Sequence, residues 1–169
     1  MRALAILAAV ACCAAIALVA FALRLRSRTR RVLAETPAAD PSAGRLVDQP
    51  RALWHGAAFA DGLPLRIPDL RDACVADLFC TAEAIFVQRE GPGALLVIPI
   101  ASISDASLHR AWAPLAQKDL PMLRLRFRRG GELIEANLSL RGGMASLEQL
   151  RREIHLRQGA ADALRHLIG

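Results

Sequence analysis

The sequence has little cysteine, and its few cysteines have none of the spacings typical of disulfide frameworks or zinc sites. Cys12 and Cys13 lie in a long apolar run, and Cys74 and Cys80 are six residues apart on a predicted strand. That separation places the two Cα atoms ~20 Å apart, whereas a disulfide requires less than ~7 Å. No two Cys or His residues have zinc-ligand spacing. We therefore expect no metal site, and buried thiols in a reducing compartment.

The sequence also lacks the motifs of common enzyme classes. No glycine-rich loop follows a predicted strand and opens a helix, as a phosphate-binding loop would. The four histidines are scattered, and His109 lies four strand positions from Asp105, ~13 Å away and beyond hydrogen-bond reach. We therefore predict that the protein is not an enzyme and has no catalytic residues and no cofactor. A small enzyme or ligand-binding domain of unknown substrate is the alternative, since catalytic groups can converge in space.

Charge is absent from the first long stretch of the chain. The 21 residues from Ala3 to Leu23 include no charged residue and no Pro, Gly or Asn. About 20 apolar residues in a helix cross a ~30 Å hydrocarbon core, where a helix satisfies its own backbone groups. The sequence therefore predicts a transmembrane anchor in residues 1–23.

Five arginines follow the apolar stretch directly, and only Arg2 precedes it. They are Arg24, Arg26, Arg28, Arg30 and Arg31. The positive-inside bias then places the C-terminal domain in the cytoplasm, on a single-pass protein of the inner membrane. The alternative is a signal peptide cleaved at the small-x-small pattern of residues 20–22, which would release an exported domain. The length of the apolar run and the position of the arginines favour the uncleaved anchor.

The net charge of +6 is concentrated beside the predicted anchor. Residues 1–44 carry six basic and two acidic side chains, whereas residues 45–169 carry sixteen and fourteen. Anionic lipid is the partner available to the five arginines at that position. We therefore expect contact with the membrane and none with nucleic acid. A role for these arginines in setting topology alone is the competing interpretation.

The remaining chain divides into a linker, one domain and a tail. Residues 24–50 are predicted to be an arginine-rich flank followed, from Val32, by a proline-rich linker with a reach of ~25 Å. Residues 51–158 form the domain and residues 159–169 the tail. Strands are predicted at 53–60, 73–81, 84–88, 95–98, 103–110, 123–128 and 133–139, with a turn at 90–93 and a loop at 111–121.

The clearest elements are a hairpin and the helix that follows it. Leu123, Leu125 and Phe127 alternate with arginines, and Gly130-Gly131 turns the chain. A capping-box pattern at 146–149 predicts the start of a helix that ends near Gly159. Its apolar face consists of Leu147, Leu150 and Ile154.

This order of elements resembles the pleckstrin-homology (PH) superfold, and local segments are similar to bacterial, actinobacterial-type PH-like domains. The segments are 76–81, 85–87, the Ile-Pro-Ile of 98–100 with Ile103, and 128–133. The resemblance implies a mainly β fold with α: an N-terminal transmembrane helix, then a PH-like seven-stranded antiparallel barrel or sandwich capped by a C-terminal helix. It also implies an interaction module on the cytoplasmic face that binds a protein partner, the anionic membrane surface, or both.

The sequence departs from eukaryotic PH domains at two places. The final helix lacks their core-facing Trp, so Leu150 or Ile154 would fill that site. The first loop offers only Arg66 and Arg71 among three aspartates, so the resemblance does not extend to inositol-lipid binding.

The candidate binding residues come from the predicted 111–121 loop and the hairpin. In the loop they are Trp112, for which packing in the core or at its rim is the alternative, and Lys118. In the hairpin they are Arg124, Arg126 and Arg128, which alternation places on one outward face. This arginine stripe is either a solvated face, whose positive charge is partly balanced by Glu132 and Glu135, or a face turned toward the bilayer.

Overall fold

The computed structural model describes residues 2–35, 37, 39–42, 44–90 and 95–168, and it begins with one long helix, α1 (Arg2–Ala34). Its segment Val10–Ala34 is long and apolar enough to cross a membrane. At 1.5 Å per residue, α1 extends ~50 Å, which is ~20 Å more than a hydrocarbon core. The linker was expected to begin at Val32, but α1 continues to Ala34.

Seven strands and two further helices follow α1. The strands are β1 (Val47–Phe59), β2 (Cys74–Cys80), β3 (Ala84–Arg89), β4 (Leu95–Pro99), β5 (Ile103–Ala113), β6 (Lys118–Arg129) and β7 (Glu132–Ser139). A short helix, α2 (Pro68–Arg71), lies between β1 and β2, and a 3-10 turn, Ile100–Ser102, lies between β4 and β5. The last element is α3 (Gly143–Ile168). Of the turn predicted at 90–93, only Glu90 is among the described residues.

The strands form one open antiparallel sheet in the order β4-β3-β2-β1-β7-β6-β5. β1 is central and is paired with both β2 and β7, so it joins the first hairpins to the last. The predicted architecture is thereby confirmed: a mainly β protein with an apolar N-terminal helix, seven antiparallel strands and a C-terminal helix.

β1 bends where its two partners meet it. The register shifts between Gln49 and Ala52 on the β2 side, and between Trp54 and Ala57 on the β7 side. Gly56 lies in the second shift with φ of +94°, and a Cβ there would lie 2.1 Å from the carbonyl oxygen of Arg71. Only glycine fits this bulge, which increases the local twist of the strand and curves the sheet.

The core is the inner face of this curved sheet. Leu123, Leu125 and Phe127 of β6 are fully buried, as their alternation predicted. Leu147, Leu150 and Ile154 of α3 are also fully buried, so α3 covers the core with the predicted face. Trp54, Phe59 and Phe127 are among the largest buried side chains. The large side chains of the core therefore come from the strands, and the helix contributes only aliphatic ones where eukaryotic PH domains have a Trp.

Both predicted ends of the last helix were wrong. The helix begins at Gly143, three residues before the expected cap at Ser146, and it continues through Gly159 to Ile168. A single glycine costs a helix only ~1 kcal/mol, and the sequence after it is rich in Ala and Leu, which are strong helix formers.

The loop predicted at 111–121 was also wrong, because most of it belongs to two paired strands. β5 continues to Ala113 and β6 begins at Lys118, with Trp112 opposite Asp119. Only residues 114–117 form the turn, in which Gln117 has φ of +53° and donates its N–H to the carbonyl oxygen of Ala113. Pro121 lies within β6 and pairs with Arg110 on the edge strand β5, two residues before the pairing of β6 with β7 begins at Leu123, so proline interrupts no bond of that second ladder.

The two cysteines of β2 lie at its two ends. Cys80 is fully buried, and its thiol donates to the carbonyl oxygen of Thr81. Burial raises the pKa of the Cys80 thiol to about 11. This thiol is therefore protonated and unreactive at neutral pH, as expected for a buried cysteine.

Candidate membrane-facing and partner-binding sites

The C-terminal part of α1 packs against the β domain. Leu25 and Val32, seven residues apart and therefore on one helix face, are 3% and 0% exposed. Thr29 lies between them, is also buried, and donates its hydroxyl proton to the carbonyl oxygen of Leu25. The predicted arginine-rich flank is thus a docked helix, which also includes the first three residues, 32–34, of the predicted linker.

Arg28 makes the principal polar contact of this junction. Its Nε lies 2.8 Å from Oε2 of Glu132, and its Nη1 lies 2.6 Å from Oδ2 of Asp61. The guanidinium carbon is 4.0 Å from the ring centroid of Phe59, which adds a cation–π contact. The hydrogen bond from Arg28 lowers the pKa of Asp61, so this carboxylate remains ionised at neutral pH.

The turn between β6 and β7 holds the end of α1. Nε of Arg129 donates to the carbonyl oxygens of Val32 and Glu35, at 3.0 and 3.1 Å. The N–H of Gly130 donates to the carboxylate of Glu35. A helix C-terminus has carbonyl groups without intrahelical partners and a partial negative charge, so a cation that donates to them stabilises it.

The five juxtamembrane arginines therefore have different environments. Arg28 forms ion pairs with Asp61 and Glu132 of the domain. Arg31 lies 3.4 Å from Glu132, and its side chain is 59% exposed. Arg24, Arg26 and Arg30 are exposed. These last three have no acidic partner within the described part of the chain.

The arginine stripe of β6 projects from the sheet face opposite the core, as predicted. Nε of Arg124 lies 3.2 Å from Oγ of Ser107, and Nε of Arg126 lies 2.8 Å from Oε2 of Glu135. Arg128 is exposed and has no acidic partner within the described part of the chain. Glu132 was expected to balance part of the charge of the stripe, but it contacts Arg28 and Arg31 instead.

The sheet register assembles polar rows of which sequence reasoning predicted only the contact between the arginine stripe and Glu135. Asp105, Arg126 and Glu135 form one row across β5, β6 and β7, and Ser107, Arg124 and Asn137 form the next. The alternation within each strand predicts outward residues, but only the register between strands reveals which of them are neighbours. Within these rows, Arg126 has acidic neighbours on both adjacent strands, whereas Arg124 has only neutral polar ones.

Two histidines lie beside these rows. Nε2 of His55 is 3.0 Å from Oγ of Ser139, and burial lowers the pKa of His55. Burial, followed by the nearby charge of Arg124, lowers the pKa of His109. Both rings are therefore neutral at pH 7. Among residues 2–35, 37, 39–42, 44–90 and 95–168, no group of three His, Cys, Asp or Glu residues is arranged to hold a metal ion.

The tip of the β5–β6 hairpin is an exposed apolar surface. Trp112 is 61% exposed and Leu115 is 50% exposed. A packing role for Trp112 in the core was one expectation, and this exposure contradicts it. β5 is an edge strand, and Trp112 is its penultimate residue, next to the turn. Few neighbours are therefore available to cover the indole.

A groove of about 420 Å³ lies beside this tip. Its apolar lining comes from β1, the β5–β6 turn, β6 and the segment after β7, and consists of Leu53, Ala116, Leu120 and Leu140. Its charged lining consists of Arg51, Lys118 and Arg141, and no acidic residue lines it in the described ranges. The groove thus combines apolar surface with three cations.

The structure does not bring the five predicted binding residues into one site. Lys118 and Arg128 are ten residues apart on β6, which corresponds to ~33 Å along the strand. Trp112 and Lys118 belong to the hairpin tip, whereas the arginine stripe runs toward the turn that holds α1. There are therefore two separate surfaces.

Comparisons of the sequence with protein-family models and with curated proteins found no match.

Proposed function

We propose that this protein is a single-pass, membrane-anchored PH-like interaction module whose domain lies on the cytoplasmic face of the inner membrane and binds a protein partner. The observation that carries the proposal is the tip of the β5–β6 hairpin, which exposes Trp112 and Leu115 and borders, through Ala116 and Lys118, a groove with three cations in its lining. Exposed Trp and Arg residues around an apolar pocket are typical of the residues that dominate binding energy at protein interfaces.

The chemistry of the groove indicates the kind of partner. Leu53, Leu120 and Leu140 offer apolar contacts, and Arg51, Lys118 and Arg141 offer positive charge. A segment that carries both apolar and acidic side chains complements this surface. The cations speed the encounter and select the partner, whereas burial of the aromatic and aliphatic groups supplies most of the affinity.

The docked anchor supports a role at the membrane. α1 is held to the domain by Arg28, by the buried Leu25 and Val32, and by the β6–β7 turn. The domain therefore has a defined height and orientation relative to α1, which a flexible tether would not provide. A partner bound at the hairpin tip would be held at a fixed distance from the bilayer.

The packing of the sheet argues against the alternative of a ligand carrier that uses the interior. Trp54, Phe59 and Phe127 belong to the described core on the inner face of the sheet and are each 0–1% exposed. The inner face is therefore occupied by the protein's own side chains.

The proposed membrane topology, with the domain in the cytoplasm, is tested by the accessibility of a cysteine at position 42. Ser42 is exposed and follows α1 in the chain. In a full-length chain whose four native cysteines are replaced by alanine, we expect Ser42→Cys to resist labelling by a membrane-impermeant thiol reagent in intact cells. Labelling should appear after permeabilisation. Labelling of intact cells, or a shorter soluble product, would instead indicate export or cleavage.

The partner arm is tested by photo-crosslinking from position 112 in cells. A benzophenone amino acid at Trp112 should give an adduct of defined mass. That adduct should be lost when Lys118→Glu and Arg141→Glu reverse the charge of the groove. The matched control is Leu156, an apolar residue of α3 that is 58% exposed and lies outside the groove. Adducts of equal yield from positions 112 and 156 would show that the hairpin tip is ordinary surface.

A further inference from the structure

A second groove, of about 580 Å³, lies between α1 and the loop that connects β1 to α2. One half is apolar and includes Val19, Ala22 and Leu23 from the last turns of the apolar stretch. The other half contains the three cations Arg26, Arg30 and Arg66, together with Thr29 and Leu33. No acidic side chain lines this groove in the part of the chain that the structure describes.

Arg66 comes to this groove from the β domain and is held there by its neighbours. Leu65 and Ile67, on either side of it, are 0% and 7% exposed. Pro64 pairs with Ala58 of β1 through an isolated bridge. These contacts fix the backbone at position 66, so its exposed side chain is presented beside α1. The groove is therefore built by the domain and the anchor together.

The three arginines differ from Arg28 in having no acidic partner among the described residues. Arg28 bonds to Asp61 and Glu132, whereas no ion pair satisfies Arg26, Arg30 or Arg66. Three like charges on one groove repel each other unless an anion lies between them. Guanidinium groups bind phosphate with two parallel hydrogen bonds, which makes phosphate a suitable anion.

The depth of the groove matches the boundary of a bilayer. If Leu23 is the last residue of the span, the Cα of Arg26 lies ~4.5 Å beyond it along the axis and that of Arg30 ~10 Å beyond. Phosphate groups lie in the layer directly outside the hydrocarbon core. Long arginine side chains at a helix end also extend along the helix toward that layer. The apolar half then faces acyl chains and the basic half faces headgroups.

We propose that this groove binds one anionic phospholipid of the cytoplasmic leaflet, with its phosphate between Arg26, Arg30 and Arg66 and its acyl chains against Val19, Ala22 and Leu23. This inference rests on the proposed membrane anchoring. The lipid would link the loop of the domain to the anchor, and would therefore reinforce the docking made by Arg28. The groove volume is in the range of small-molecule sites and suits the headgroup, the glycerol and the adjoining part of the chains.

The experiment uses the full-length protein in detergent micelles with equal amounts of dioleoyl phosphatidylglycerol and dioleoyl phosphatidylcholine. Native mass spectrometry then counts the lipid retained. We expect phosphatidylglycerol to be retained preferentially, and Arg66→Gln to weaken its retention by on the order of fivefold. Arg66→Lys should keep most of the binding. The matched control is Arg152→Gln, which removes one exposed arginine of α3 that does not line the groove and should leave retention unchanged.

Three outcomes would overturn the site. They are equal retention of the two lipids by the wild type, equal losses in Arg66→Gln and Arg152→Gln, and displacement of phosphatidylglycerol by millimolar inorganic phosphate. The last would show that the phosphate alone is bound and that the apolar half is unused. Extraction of membranes with carbonate separates this failure from that of the anchor. A wild type that stays in the membrane yet shows no lipid preference refutes only the lipid site, whereas a soluble wild type refutes both.

Discussion

We expect Phe127→Ala to lower the free energy of unfolding by about 3–5 kcal/mol, which is the usual cost of truncating a fully buried aromatic side chain. Phe127 is 0% exposed and lies between Ile103 of β5 and Ile134 of β7 in the sheet. Both neighbours are buried, so a truncation at this position leaves a cavity that the strands cannot easily close. Urea unfolding of residues 24–169, which retain the docked part of α1, measures the loss.

Two further substitutions make the Phe127 measurement specific. Phe127→Leu retains most of the volume and should cost about 1 kcal/mol. Leu156→Ala truncates an apolar residue that is 58% exposed and should change stability by less than ~0.5 kcal/mol. A loss below ~1 kcal/mol for Phe127→Ala would mean that the residue does not face the core and that the register of the β6–β7 hairpin is wrong.

The parts of the fold that the sequence predicted are those determined by local alternation. In β6 the period of two placed Leu125 inside and Arg126 outside, and in α3 the helical period placed Leu150 inside. The Gly130-Gly131 turn also fixed which residues of β6 and β7 are opposite each other, because a two-residue turn sets the register.

The hairpin of β5 and β6 was missed because its signal is not local. Pro114 and Pro121 indicate a loop when they are read alone, yet Pro121 lies in a strand and pairs with Arg110. The pairing of Trp112 with Asp119 brings the indole to a hairpin tip, where it is exposed. Of the candidate site, the sequence therefore predicted the residue types but not the groove that lies beside them.

The docking of α1 was missed for a different reason. Leu25 and Val32 are separated by charged residues, and a transmembrane prediction treats them as the end of a span or the start of a linker. The docking also depends on the contacts of Arg28 with Phe59, Asp61 and Glu132, which are distant in sequence and come together only in the folded sheet. No pattern within residues 24–35 reveals that a partner surface exists.

We expect Gly130→Ala to detach α1 from the domain, whereas Gly131→Ala leaves it docked. Both glycines have positive φ, +60° and +74°, so alanine meets comparable backbone strain of ~1–2 kcal/mol at either position. A Cβ at position 130, however, would lie 2.3 Å from the carbonyl oxygen of Arg31, while a Cβ at position 131 has nothing within 4 Å. The obstacle at 130 is helix backbone, so α1 itself must move away.

Movement of α1 exposes Leu25 and Val32 and breaks the contacts of Arg28. We therefore expect Gly130→Ala to lower the free energy of unfolding by about 2–4 kcal/mol more than Gly131→Ala does. Unfolding of residues 24–169 measures this difference, and a spin-label distance between α1 and β2 reports the detachment directly. The same two variants in residues 45–169, which lack α1, should have equal stabilities, because the Arg31 carbonyl is no longer present. This comparison forms a thermodynamic cycle that isolates the coupling between anchor and domain. A difference between the two variants that persists without α1 would assign the effect to the turn itself and would contradict docking of the anchor.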